Sequence, residues 1–323
     1  MIGRSIADAL IEAPIVTSFT RLGYEARSRL EGWAPLDDYD LSGQVIVVTG
    51  ATSGLGHAAA EQLARCGATL VVVGRDGERN ERVIAELAAS TGNPSITQIP
   101  ADMGDLEQVR HLAERVLAAH DRLDVLIHNA GALDPEHRVA PGGTEATVAS
   151  QVVGPFLLTM LLLDRLAASA PARVLTMSSG GMYAAGLKVS ELEMAPENYN
   201  GTEQYARAKR AQVTLNEMWA DRYGDLGVTF HALHPGWADT PGVDAGLPTF
   251  AKVMGPFLRT PDQGADTLVW LAADDAALAS NGRFWLDRAP RPIHKLPTTR
   301  GTDTAERRNR LWDWVAATAD ATQ

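Results

Sequence analysis

The segment QVIVVTGATSGLGHAAAEQLARCG, residues 44–67, constrains the fold more than any other. Its opening run of β-branched residues is apolar on both faces, the pattern of a strand sandwiched between two layers. Three glycines follow, and then a helical period. Glycine permits a positive φ and close approach by another backbone or a ligand, and the first turn of a helix offers free N–H groups to an anion. Gly50, Gly54 and Gly56 form T-G-x-x-x-G-x-G. That spacing differs from the G-x-G-x-x-G fingerprint but rests on the same physics, so the segment predicts a strand–turn–helix unit that cradles a pyrophosphate.

From residue 45 onward the pattern repeats. Strands are expected at 45–49, 69–74, 96–100, 123–128, 173–178, 228–233 and 283–286, with helices near 55–66, 78–90, 105–119, 145–169, 203–223 and 262–273. Such alternation predicts an α/β fold, a Rossmann-type doubly wound parallel sheet of about seven strands with ligand at the strands' carboxyl ends. At 323 residues the chain suits one such domain, residues 43–323, ending in a C-terminal helix capped by Thr302 or Asp303 that turns Leu311, Trp312 and Val315 inward. Residues 1–42 form a helical N-terminal extension of two short helices (about 4–12 and 14–31). In it Ile6, Leu10, Ile11, Ile15, Phe19, Leu22 and Leu30 make an apolar stripe. The stripe packs on the main domain, covers the substrate pocket or touches a membrane surface.

A net charge of −11 argues against nucleic acid, whose phosphates it would repel. The single cysteine, Cys66, excludes an intramolecular disulfide framework and fits a cytoplasmic location. Asp8, Glu12 and Pro14 interrupt what would be the apolar run of a signal peptide, and the longest apolar stretch, 152–163, stops at Asp164, so no transmembrane segment is expected. The histidines lack metal-ligand spacing, and no catalytic metal is expected.

Tyr205 and Lys209 lie four apart, on one face of a helix if the segment is helical. An ammonium beside a phenol favours phenolate and lowers its pKa, which suits proton transfer to or from a substrate oxygen. Alone, such a pair is also an ordinary feature of an amphipathic helix. Other strand ends carry further candidates. Arg75 stands nineteen residues after Gly56, where NAD-binding folds place a carboxylate for the ribose 2′-hydroxyl. With Arg79 one turn on, it suits a 2′-phosphate, so NADP(H) is expected over NAD(H), although Asp76 next door leaves NAD(H) open. Asp102, after the third strand, is placed for an adenine amino group or for a helix cap. His128-Asn129-Ala130-Gly131 ends the fourth strand with small residues against which a ribose can lie. Ser178 and Ser179 end the fifth, and Pro235 and Gly236, after the sixth, are placed to meet a nicotinamide carboxamide. Met182, Trp237, Phe250, Phe257 and Trp285 would give the mouth an apolar lining.

In this order the motifs resemble those of the short-chain dehydrogenase/reductases, over about residues 43–286. The resemblance makes TGATSGLG the cofactor loop, adding Thr49, Thr52, Ser53 and Leu55 to its glycines, and brings Met103 and Thr240 into the cofactor-binding set. It makes Ser179 the substrate-orienting hydroxyl, Tyr205 the acid/base, and Lys209 the partner of Tyr205 and a ligand of the nicotinamide ribose. It also implies dimerisation through the 145–169 and 203–223 helices. Gln151 falls where the family has a catalytic asparagine, which puts the proton relay in doubt; His128, at a second usual asparagine, is read as structural. The expected activity is NADP(H)-dependent interconversion of a carbonyl and its alcohol on a lipophilic small molecule. A non-catalytic NADP(H)-binding module is the alternative that Gln151 feeds. An epimerase or dehydratase of the extended group would need T-G-x-x-G-x-x-G, which this turn does not make.

Overall fold

In the computed structural model, which describes residues 6–12, 14–246 and 248–320, the β-branched runs pair side by side because both faces are covered. The strands are β1 (Val45–Thr49), β2 (Thr69–Gly74), β3 (Ile96–Pro100), β4 (Val125–His128), β5 (Ala172–Met177), β6 (Val228–Leu233), β7 (Arg283–Leu286) and β8 (Ala289–Arg291). Their order is β3-β2-β1-β4-β5-β6-β7-β8, parallel throughout except for the antiparallel β7–β8 pair. The order reverses between β1 and β4, which opens a crevice at their carboxyl ends.

Three short helices precede the sheet: α1 (Ile6–Glu12), α2 (Ile15–Phe19) and α3 (Arg21–Glu31). The crossovers are α4 (Gly54–Arg65), α5 (Gly77–Thr91), α6 (Leu106–Ala119), the composite α7 (Ala146–Val148) and α8 (Gly154–Ala168), and α9 (Gly201–Tyr223). After β6 come α10 (Pro241–Gly246), α11 (Pro248–Met254) and α12 (Pro261–Ala273), and after β8 come α13 (Pro297–Thr302) and α14 (Ala305–Asp320). One core layer packs Val109, Leu158, Leu162, Leu215 and Trp219 against the sheet, and the other packs Ala59, Leu63, Leu268 and Leu271. The stretch Ala146–Ala168 is long and apolar enough to cross a membrane, but 78% of its apolar window is buried inside the protein. Phe156 meets Trp219 on one side and Trp312 of α14 on the other.

Four features depart from the expectations above. The eighth strand is extra: Asp287 and Arg288 turn the chain at φ 54° and 52°, a hairpin geometry that usually calls for Asn-Gly or Asp-Gly. Buried partners hold them there, Arg27 and Arg259 on Asp287, and Asp266 on Arg288. Secondly, the 145–169 helix contains a π turn, Ala149–Val153. Pro155 has no N–H to give the Gln151 carbonyl, four residues back, so the regular ladder breaks there. Thirdly, α14 is capped by neither Thr302 nor Asp303 but by Thr304, whose hydroxyl accepts from Arg307 N–H at 3.3 Å. Leu311 and Val315 do face the core, with Trp312 partly buried.

The fourth departure is the extension. Phe19 is buried, but Leu10, Leu22 and Leu30 are exposed; Ile6 and Ile15 lie outside the residues whose side chains are described. Charge does the docking. Arg27, 1% exposed, binds Asp8 at 2.7 Å and Asp287 at 2.6 Å. Arg291 binds Asp8 at 2.5 Å, and Arg259 binds Asp287 at 2.5 Å. Burial alone would raise the Asp8 carboxyl pKa, but the two guanidiniums outweigh it and hold the group below the usual range.

Candidate active site

At the end of β1 the Thr49 hydroxyl donates to Ile127 C=O at 3.2 Å and accepts from Asn129 N–H at 3.0 Å and Ala130 N–H at 3.1 Å. Asn129 returns its amide to the carbonyls of Thr49 and Gly50, both at 3.1 Å. The β1 and β4 ends are thereby stitched into one floor. Gly50 turns at φ 67°, and a Cβ there would lie 2.7 Å from Ala130 Cα; one on Gly56 would sit 2.2 Å from Gly50 O. Only glycine lets the turn fold this tightly onto the start of α4. Thr240 flanks Gly54, and Leu55 points away to pack against Gly264 of α12. Ser53 precedes the helix with no side-chain cap, so its first N–H groups remain for an anion.

The second strand end carries Arg75, Asp76 and Arg79. Asp76 is the N-cap of α5, accepting from Arg79 N–H at 3.1 Å. Arg79 reaches back to Thr52 C=O at 3.1 Å, and Arg75 stays exposed. The Arg79 guanidinium thus reaches the glycine turn, while one oxygen of the neighbouring Asp76 carboxylate is engaged. After β3, Asp105 caps α6 and Asp102 accepts from Gly104 N–H at 2.9 Å. Met103 is buried where its carbonyl meets Gly154: a Cβ there would lie 2.0 Å away.

At the end of β5 the two serines separate. Ser178 donates to Lys209 C=O at 3.1 Å, a helix-to-strand tie. Ser179 accepts from Gly181 N–H at 3.1 Å and lies near Tyr205. Tyr205 and Lys209 share a face of α9, with Lys209 Nζ 5.2 Å from the phenol ring centroid. The ammonium does not lower the phenol pKa as the spacing suggested. Burial pushes Tyr205 up to about 12, which the nearby Ser179 hydroxyl only partly opposes. Burial also brings Lys209 down to about 7, and its Nζ donates to Met177 C=O at 2.9 Å. Near neutral pH the phenol is protonated, while burial weakens the hold of the Lys209 ammonium on its proton.

Gln151 lies in the π turn. Its side-chain amide donates to Ala132 C=O at 2.8 Å, and its Oε1 lies against Gly131. The main-chain carbonyl that Pro155 frees accepts from Gln212 Nε2 at 2.7 Å. Gln212, one turn beyond Lys209, was missed from the sequence; its signal is a polar residue on the buried face of that helix. His128 is buried against Thr159 at 2.8 Å, its pKa pushed down to about 3 by desolvation.

After β6, Pro235, Gly236 and Trp237 form the loop that joins the sheet edge to α10 and α11. Trp237 and Phe250 pack edge to face at 5.1 Å, and Phe257 is exposed. Met182 and Trp285 do not line a mouth; both are core residues, Trp285 against His231 and Trp270.

Residues 44–247 match the family model described as short chain dehydrogenase. The chain is 37% identical over 290 residues to human dehydrogenase/reductase SDR family member 12, covering 89% of this chain and 90% of that one. It is 32% identical over 310 residues to retinol dehydrogenase 12 of Bos taurus, covering 94% and 96%. A solved Beutenbergia cavernae structure with bound NADP superposes with a TM-score of 0.64 at 27% identity, covering 79% of this chain and 97% of that one. L-Sorbose reductase from Gluconobacter frateurii, complexed with NADPH and L-sorbose, shares the fold with a TM-score of 0.64 at 21% identity, over 77% and 96%.

Proposed function

The chain belongs to the short-chain dehydrogenase/reductase family, NAD(P)-dependent oxidoreductases, and from that premise we propose that it is NADP(H)-dependent and interconverts a ketone or aldehyde with its alcohol on a small lipophilic molecule. The observation that carries this reading is the Ser179–Tyr205–Lys209 group at the end of β5, in the same sheet whose β1 leads into the Gly50–Gly56 turn. When bound, the nicotinamide supplies or takes the hydride. The α4 N-terminus would hold the pyrophosphate, Arg75 and Arg79 the 2′-phosphate, Asp102 and Met103 the adenine side. Asn129 to Gly131, with Lys209, would hold the nicotinamide ribose, and Pro235, Gly236 and Thr240 the carboxamide.

In the reductive direction Ser179 donates a hydrogen bond to the substrate oxygen and Tyr205 delivers its proton to that oxygen. A phenol is protonated at neutral pH and so can donate, and burial raises its pKa further. Negative charge left on Tyr205 raises the proton affinity of Lys209, whose ammonium form burial had disfavoured, and the charged Lys209 offsets the phenolate. Preference for a lipophilic substrate rests on Trp237 and Phe250 beside the β6 loop and on the likeness to a retinol dehydrogenase.

A second reading, a non-catalytic NADP(H)-binding module, draws on the Gln151 carbonyl, which is taken by Gln212. One experiment separates them: NADPH absorbance followed across a panel of lipophilic aldehydes and ketones. Turnover supports the oxidoreductase; NADPH binding with no turnover on any member supports the module.

A further inference from the structure

Phe19, from the N-terminal extension, touches the segments that follow β5 and β6, the first of which carries Ser179. Its ring lies 4.4 Å from His234 and 5.7 Å from Trp237, edge-on to both. Its carbonyl accepts from Trp237 N–H at 2.7 Å and from Arg259 Nε at 3.1 Å. On the other side is Gly180, the residue after Ser179, where a Cβ would lie 2.7 Å from Phe19 Cε2. The absence of a side chain at Gly180 makes room for that ring.

Phe19 is held firmly. The neighbouring Ser18 carbonyl accepts from Arg27 and Arg259, both at 3.0 Å, and these arginines share Asp287. Lys295 Nζ sits 5.1 Å from the Phe19 ring centroid. A buried ionic cluster thus fixes an apolar wedge between the Ser179 turn and the Pro235–Trp237 loop. Close-packed groups of this kind transmit small displacements because there is no void to absorb them.

We infer that Phe19 is a positioning residue for the reaction, setting the Ser179 hydroxyl and the β6 loop, so that the N-terminal helices complete the catalytic edge. This rests on the oxidoreductase reading proposed above. It makes the extension part of the site rather than a lid over the pocket.

A double-mutant cycle in the full-length chain tests it, with Phe19→Leu, Gly180→Ala and the pair. Each single variant is expected to lower kcat about tenfold while the Kd for NADPH changes less than about threefold. In the double variant the added methyl occupies space vacated by the ring, so kcat is expected within about threefold of Phe19→Leu alone instead of at the hundredfold product. Losses that multiply, or losses that follow only the folded fraction measured by thermal unfolding, overturn the role of Phe19. A wild type that binds NADPH but reduces no carbonyl overturns the oxidoreductase reading itself, a distinguishable result.

Discussion

Tyr205 and Lys209 share a helix face, yet burial drives both toward their neutral forms. For Lys209, a folded pKa of about 7 lies below the unfolded 10.5. Across that window the unfolded chain holds one more proton than the folded chain, so stability rises with pH from about 7 upward and carries the full penalty below it. Lys209→Met should remove this contribution, up to about 1.4 kcal/mol per pH unit, from denaturant stability measured between pH 7 and 9. Arg75 is a second residue whose role is separable. Arg75→Asp is expected to weaken NADPH binding at least about tenfold more than NADH binding, measured by fluorescence titration; equal losses contradict the 2′-phosphate assignment. Identity and spacing made these residues legible in the sequence. Their protonation states were not, because desolvation depends on what the fold lays over them.

Among elements, β1 to β7 were legible because each run is apolar on both faces and bounded by turns. The β7–β8 hairpin was not, since Asp287-Arg288 turns with positive φ only under buried counter-charges from distant segments. The π turn is intermediate: Pro155 announces a missing hydrogen bond, but nothing local names Gln212 as the group that takes up the Gln151 carbonyl. Gln212→Leu leaves that carbonyl buried without its donor, which costs about 1–3 kcal/mol. A stability loss of that size on thermal or denaturant unfolding, with Gln212→Asn no better because its amide is one methylene shorter, is the expected outcome.

Over the whole molecule, two pieces outside the β–α repeat close its surfaces. Helix α14 lies on α8 and α9, with Trp312 against Phe156 and Tyr223 and Arg308 paired to Glu217 at 2.6 Å. The N-terminal helices are tied down by Arg27, whose partners Asp8 and Asp287 are as buried as it is. Composition could not reveal this, because charges at positions 8, 27, 259, 287 and 291 read as ordinary surface residues until the fold gathers them. Arg27→Met should destabilise the protein by about 3 kcal/mol in denaturant unfolding, since it strips a shared cation from two buried carboxylates.

The proton-donor role of Tyr205 is the central claim, and Tyr205→Phe tests it most directly. Single-turnover oxidation of NADPH with a carbonyl substrate found for the wild type would be measured beside the Kd for NADPH. The account predicts a loss of at least about 100-fold in rate with the Kd changed less than about threefold. Turnover by the Phe variant near the wild-type rate would contradict it.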